Sequence, residues 1–259
     1  MFKKIRILIL LLILLAVMVN TNLTRTDARD WREPLIISIY PINGDGSEVT
    51  RRYISTMDAA DFRSIEQFMS RELQRYEVPQ EQPFKIFLQP EISDAPPRVV
   101  DNNNTFDVIW WSLAMRYWSY QIGKFDTADP DIQMFVFLYD PNKHPRLDHS
   151  VGLEKGLIGV VNAYADQAMN ESNNFIITHE ILHTLGATDK YDFSTGLPLY
   201  PDGYADADQQ PLYPQRQTEI MGGKRVISPI KAEMPNSLRE TIIGFQTAYE
   251  IGLFHYQAE

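Results

Sequence analysis

The sequence predicts an α+β fold. Four short apolar runs rich in β-branched residues, at 34–40, 84–88, 132–139 and 157–161, are bounded by proline, glycine and asparagine and read as strands. Segments with apolar residues three and four apart lie between and after them and read as helices. One of these, residues 173–185, carries two histidines four positions apart and stops at Gly186. With 44% hydrophobic and 22% charged residues, the chain has enough apolar surface to bury a core.

Taken in order, the chain opens with Lys3, Lys4 and Arg6 ahead of an unbroken apolar run from Ile7 to Val19, the pattern of an export signal. Residues 1–20 are therefore expected to be a signal-anchor or signal peptide. Residues 5–19 would anchor the chain to a membrane with its N-terminus in the cytoplasm, or release a secreted domain if cleaved. The bulky residues Leu15, Val17, Met18 and Val19 offer no small-residue cleavage site, which favours an anchor. Residues 21–33 are polar and suit a tether, leaving 34–259 as one domain. With no cysteine in the chain, no disulfide supports that domain. A formal charge of −10 without a basic stripe excludes nucleic acid as a partner.

The first strand, 34–40, ends in the turn residues Asn43, Gly44, Asp45 and Gly46. Residues 58–77 form a helix, with Phe62, Ile65, Phe68, Met69, Leu73 and Tyr76 on one face. Strand 84–88 follows between prolines. Residues 106–122 are helical and rich in aromatic side chains, which are expected to pack against the sheet. Strand 132–139 comes next, and 157–161, interrupted by Gly159, reads as an edge strand that could align an extended peptide. Beyond Gly186 lies a long irregular stretch, 187–235, of the kind that carries function, and a final helix is expected over 237–253.

The chemistry concentrates in the helix at 173–185. Histidines 179 and 183, one turn apart on a single face, can both reach one ion, and Glu180 stands beside them where it could take a proton from water on that ion. Asp189 follows six residues after His183, where the returning chain could supply a third ligand; Asp192 and Glu219 are the alternatives. The run from His179 to Asp189 resembles the long motif of the metzincin zinc peptidases, with aspartate in its last place. The continuation Asp189-Lys190-Tyr191-Asp192 is similar to the same stretch of immune inhibitor A-type peptidases.

That resemblance implies a zincin-like fold, with a mixed twisted sheet of four or more strands, an active-site helix and a C-terminal helix. It also implies Zn²⁺ as cofactor, peptides or proteins as substrates, and Met221 as the methionine turn beneath the metal. Several metzincins place a tyrosine two residues past that methionine, but here Gly223 stands there. A non-cleaving, zincin-fold binding module at the membrane is the alternative, though it would have no need of Glu180 as a base. Asp202, Asp206 and Asp208 could hold a structural Ca²⁺ in the long loop. His144, His149 and His255 lack ligand spacing and read as surface residues.

Overall fold

The computed structural model describes residues 28–94, 96–97, 105–123, 129–154 and 156–254. The expected anchor over residues 5–19 lies outside them. Among the described residues no helix is long and apolar enough to cross a membrane, so the membrane-anchored, transmembrane reading is corrected and not carried further. Within the stretch read as a tether, Ala28 and Trp31 are already buried. The Trp31 indole donates to the carbonyl of Ile251 at 2.9 Å and its ring lies 6.2 Å from that of Phe84.

In chain order the described elements begin with strand β1 (Leu35–Asn43), helices α1 (Glu48–Thr56) and α2 (Arg63–Arg75), strand β2 (Phe84–Leu88) and helix α3 (Thr105–Gly123). Strands β3 (Ile132–Tyr139), β4 (Val151–Leu153) and β5 (Ile158–Tyr164) precede helix α4 (Asn170–Thr184). Then come β6 (Thr218–Glu219), β7 (Arg225–Ser228), β8 (Lys231–Glu233), β9 (Thr241–Ile242) and helix α5 (Phe245–Glu250). The main sheet runs β2-β1-β3-β5-β4, with the first four strands parallel and β4 antiparallel against β5.

Parallel strands are covered on both faces, and the side-chain alternation shows how. Ile37 and Ile39 of β1, with Met134 and Val136 of β3, enter a core shared with Phe68 and Met69 of α2 and Ile177 and Ile181 of α4. Tyr40 and Ile42, with Phe135, point the other way onto Trp111 and Met115 of α3. The sheet is thus the middle of three layers. Only part of the aromatic stretch packs as expected: Trp118 tilts onto Phe135 at 4.6 Å, whereas Trp110, Tyr117 and Tyr120 are exposed.

Four local expectations change. Strand β5 is interior, because β4, three residues long, adds outside it and forms the edge. The helix expected over 58–77 divides: Asp58 caps a 3₁₀ turn over Ala59–Phe62, and α2 begins only at Arg63. Helix α1 lies between the turn at 43–46 and the helix expected over 58–77, where no element is expected, and it is started by the Ser47 hydroxyl accepting from the Thr50 amide. The C-terminal helix shortens to α5, since the backbone amides of Ile243 and Gly244 are drawn off by two buried carboxylates, Glu72 at 2.9 Å and Glu219 at 3.0 Å. Tertiary hydrogen bonds there override a helical apolar pattern.

Trp31 joins the start of the described chain to its end. Replacing it by alanine should cost about 3–5 kcal/mol of unfolding free energy. Urea denaturation followed by far-ultraviolet circular dichroism measures this, and an unshifted midpoint would show that the N-terminal contact is dispensable.

Candidate metal centre

Helix α4 is buried nearly all round, which fixes its rotation as well as its place. Asn173 clamps its first turn to β5, accepting from the Tyr164 amide at 3.0 Å and donating to the Tyr164 carbonyl at 2.9 Å. Asn174 donates to Ser64 at 2.8 Å and to the Asp61 carbonyl at 2.6 Å. At the other end Gly186 adopts φ +95°, with its amide on the His183 carbonyl and the Ala187 amide on the Leu182 carbonyl. This paired closure reverses the chain at once, and both Leu182 and Ala187 are buried in the main core.

The reversal delivers Asp189 to the histidines. Its Oδ1 lies 3.1 Å from Nε2 of His179 and 3.1 Å from Nε2 of His183, whose rings meet edge to face at 4.6 Å. The Nδ1 of His179 donates to the Ile220 carbonyl at 2.9 Å, and that of His183 to the Ala187 carbonyl at 2.8 Å. A carbonyl can only accept, so both Nδ1 atoms carry a proton and both Nε2 atoms face inward. Histidines 179 and 183 and Glu180 each bring a ligand atom within 4.8 Å of the others, the one such group of three among the described residues. Asp189 adds a fourth acceptor by the 3.1 Å contacts.

These charges shape one another. Burial disfavours the His179 imidazolium, but the hydrogen bond to Asp189 and the Glu180 charge outweigh it and raise the pKa above its ordinary value. Burial also works against the Asp189 anion, yet the two imidazoles hold it well below the usual carboxylate range. For Glu180 burial dominates and pushes the carboxyl up, against the pull of both histidines. Its Oε2 is buried and has no hydrogen-bond partner. Two inward imidazole nitrogens, one carboxylate oxygen and an orphaned second carboxylate are a donor set that fits a divalent metal ion.

The site opens into a cleft of about 370 Å³, lined by His149, Val151 and Gly152 at and before β4 and by Tyr191 and Phe193 beyond α4. Strand β4 passes so near α4 that a Cβ on Gly152 would meet the Cβ of His183 at 2.5 Å and the backbone oxygen of Glu180 at 2.7 Å. Only glycine fits that approach. Burial and then the Asp189 charge push the Tyr191 phenol up to about 12. A wider groove of about 940 Å³ between α2 and β2 is lined by residues such as Arg71, Gln74 and Lys85 and holds no such cluster.

Met221 is fully buried in the 3₁₀ turn Ile220–Gly222, directly after the carbonyl that orients His179, and its own carbonyl accepts from the Lys190 amide at 2.9 Å. Glu219 is fully buried too. Its oxygens are taken up by the Gly222 amide at 2.6 Å, the Gly244 amide at 3.0 Å and the Thr247 hydroxyl at 2.8 Å. Burial pushes its carboxyl up while those bonds pull it down. The Oδ1 of Asp192 caps a turn, accepting from the amides of Ser194 and Thr195 at 2.8 and 2.9 Å. Neither alternative carboxylate lines the cleft.

Asp202, Asp206 and Asp208 do not gather into a group of the kind formed by the histidines; Asp206 instead accepts from the Asp208 amide at 3.1 Å. His144 lies 5.1 Å from the Tyr139 ring and 3.9 Å from Asp45, and His255 is outside the described residues. His149 is exposed, as expected of a surface residue, and also lines the cleft; Tyr191 is a second cleft residue that spacing did not single out. Only its place two residues after Asp189 could have drawn attention to it. Compared with protein-family models and with curated proteins, the chain matches none.

Zinc titration of the purified protein should give one ion per chain, lost in His179→Ala and His183→Ala and weakened more than about 100-fold in Asp189→Ala. Glu219→Ala should behave oppositely, keeping the ion but losing about 3 kcal/mol or more of stability as its partners go unpaired. Metal analysis and urea denaturation read both, and a metal-free Glu219→Ala beside a loaded Asp189→Ala would reverse the assignment.

Proposed function

We propose that the chain is a zinc-dependent endopeptidase in which His179, His183 and Asp189 hold the ion, Glu180 is the general base and Met221 lies beneath the site. The observation that carries this reading is the buried, unpartnered Glu180 oxygen beside the convergence of His179, His183 and Asp189. Burying a carboxylate oxygen without a partner is costly, and such a group in a cleft is commonly retained for chemistry. When bound, zinc supplies a Lewis acid that polarises a carbonyl and brings the pKa of a water near 7.

The protein's own part is placement and proton transfer. Glu180, raised by burial, accepts a proton from the attacking water and passes it to the amide nitrogen as the C–N bond breaks, so that water is divided between the acyl carbon and the amine. An extended peptide would enter alongside β4, the sheet edge that lines the cleft, rather than along β5, which is enclosed by β3 and β4. The local motif resemblance to metzincins supports the same reading, as does the mixed five-stranded sheet ahead of α4.

Glu180→Gln keeps the size of the side chain and removes the base. Hydrolysis of a fluorogenic peptide library should fall by at least about 10²-fold while bound zinc and thermal stability stay unchanged. A variant that cleaves at the wild-type rate would overturn the role of Glu180.

A further inference from the structure

We propose that Tyr191 is a catalytic residue of this site, its phenol donating a hydrogen bond to the reacting carbonyl oxygen of the substrate as that oxygen gains negative charge. The inference rests on the peptidase reading above and assigns a role which that reading leaves open. Addition of water to an amide puts charge on the carbonyl oxygen, and a donor fixed in advance where the charge develops lowers the barrier. Gly223, which follows Met221 by two, has no side chain to offer and sits at φ +73°.

The Tyr191 ring occupies the space next to it. A Cβ built on Gly223 would be in ordinary contact with the ring, at 3.7 and 3.9 Å, so the Tyr191 ring borders the position from which a side chain at 223 would extend. The ring lies 6.5 Å from that of His179, inclined by 32°, and lines the same cleft as Glu180 and Asp189. A phenol carries one O–H donor, and here it borders the cleft that the reacting carbonyl would enter.

Rigidity supports the assignment. On one side of Tyr191 the Lys190 amide is bound to the Met221 carbonyl at 2.9 Å and the Lys190 carbonyl accepts from Leu199 at 2.7 Å; on the other the Asp192 amide is bound to Leu197 at 2.9 Å. The Lys190 ammonium is itself buried on Glu250 at 2.7 Å and on the Thr188 carbonyl and hydroxyl at 2.7 Å each. A residue held on both flanks costs little reorganisation when charge appears. Phe193, edge to face with the Tyr191 ring at 5.2 Å, borders it on the solvent side.

The test uses the full zinc-loaded protein, Tyr191→Phe, which keeps the ring, and a phosphinic peptide whose tetrahedral phosphorus oxygens imitate the charged carbonyl. Calorimetry should show the phosphinic peptide binding about 10- to 100-fold more weakly to Tyr191→Phe, with zinc content and melting temperature unchanged. For peptide hydrolysis, kcat should fall about 10²-fold with KM nearly constant, the signature of a contact made only in the transition state. Equal phosphinic affinity in the two proteins overturns the proposal, as does a loss seen only in His149→Ala, another donor lining the cleft. A zinc-loaded wild type that neither binds the phosphinic peptide nor cleaves would instead overturn the peptidase reading, and this inference with it.

Discussion

A helix ends with carbonyls that have no partner within the helix, and in this protein the way α4 resolves that shortage sets the geometry of the whole cleft. Gly186, at positive φ, lets two amides fold back onto the carbonyls of Leu182 and His183, and the chain reverses within one residue. The Ala187 carbonyl is thereby turned toward His183, and Asp189 is brought between the imidazoles. A side chain on Gly186 would face backbone strain and would also strike the Arg29 guanidinium, which is paired with Glu154 just after β4. The same point therefore fixes the ligand loop, the N-terminal segment and the edge strand.

Behind the cleft, two buried carboxylates do what cross-links would do in a chain with cysteines. Glu72 accepts from Arg71 and Arg75 on its own helix and from the Ile243 amide, while Glu219 gathers Gly222, Gly244 and Thr247. Each joins segments far apart in sequence, at positions where a buried acceptor left unpaired would cost about 1–3 kcal/mol. Their effect reaches the site through one step, because Glu219 precedes Ile220, whose carbonyl orients His179. The carboxylate considered as a rival ligand thus holds the turn that supports a true candidate ligand.

What could be read in the sequence was what depends on neighbours in the chain. The four parallel strands are apolar runs, the end of α4 is marked by Gly186 although its start at Asn170 lies three residues before the expected one and carries no side-chain cap, and the spacing of His179, Glu180 and His183 follows from helical pitch. The position of Asp189 was legible because Gly186 makes the return short. Strand β4 was not, since three residues carry no period and its pairing comes from β5. Nor was the breaking of the C-terminal helix, whose cause lies in Glu72 and Glu219, 171 and 25 positions away from their partners. Tyr191 and His149 escaped for the same reason: membership of a cleft is decided by which segments meet.

The two imidazoles are oriented by backbone carbonyls rather than by carboxylates or other side chains, and this choice has physical consequences. A carbonyl does not titrate, so the Nδ1 protons of His179 and His183 stay in place wherever their acceptors do, and the inward direction of both Nε2 atoms follows from chain geometry alone. Orientation is then inherited from the Ile220 turn and the Gly186 reversal, each secured by hydrogen bonds outside the cleft. The groups that face inward are Glu180 and Asp189 with the two Nε2 atoms. The frame that sets the imidazole directions is thus separate from the carboxylates that converge inside the cleft.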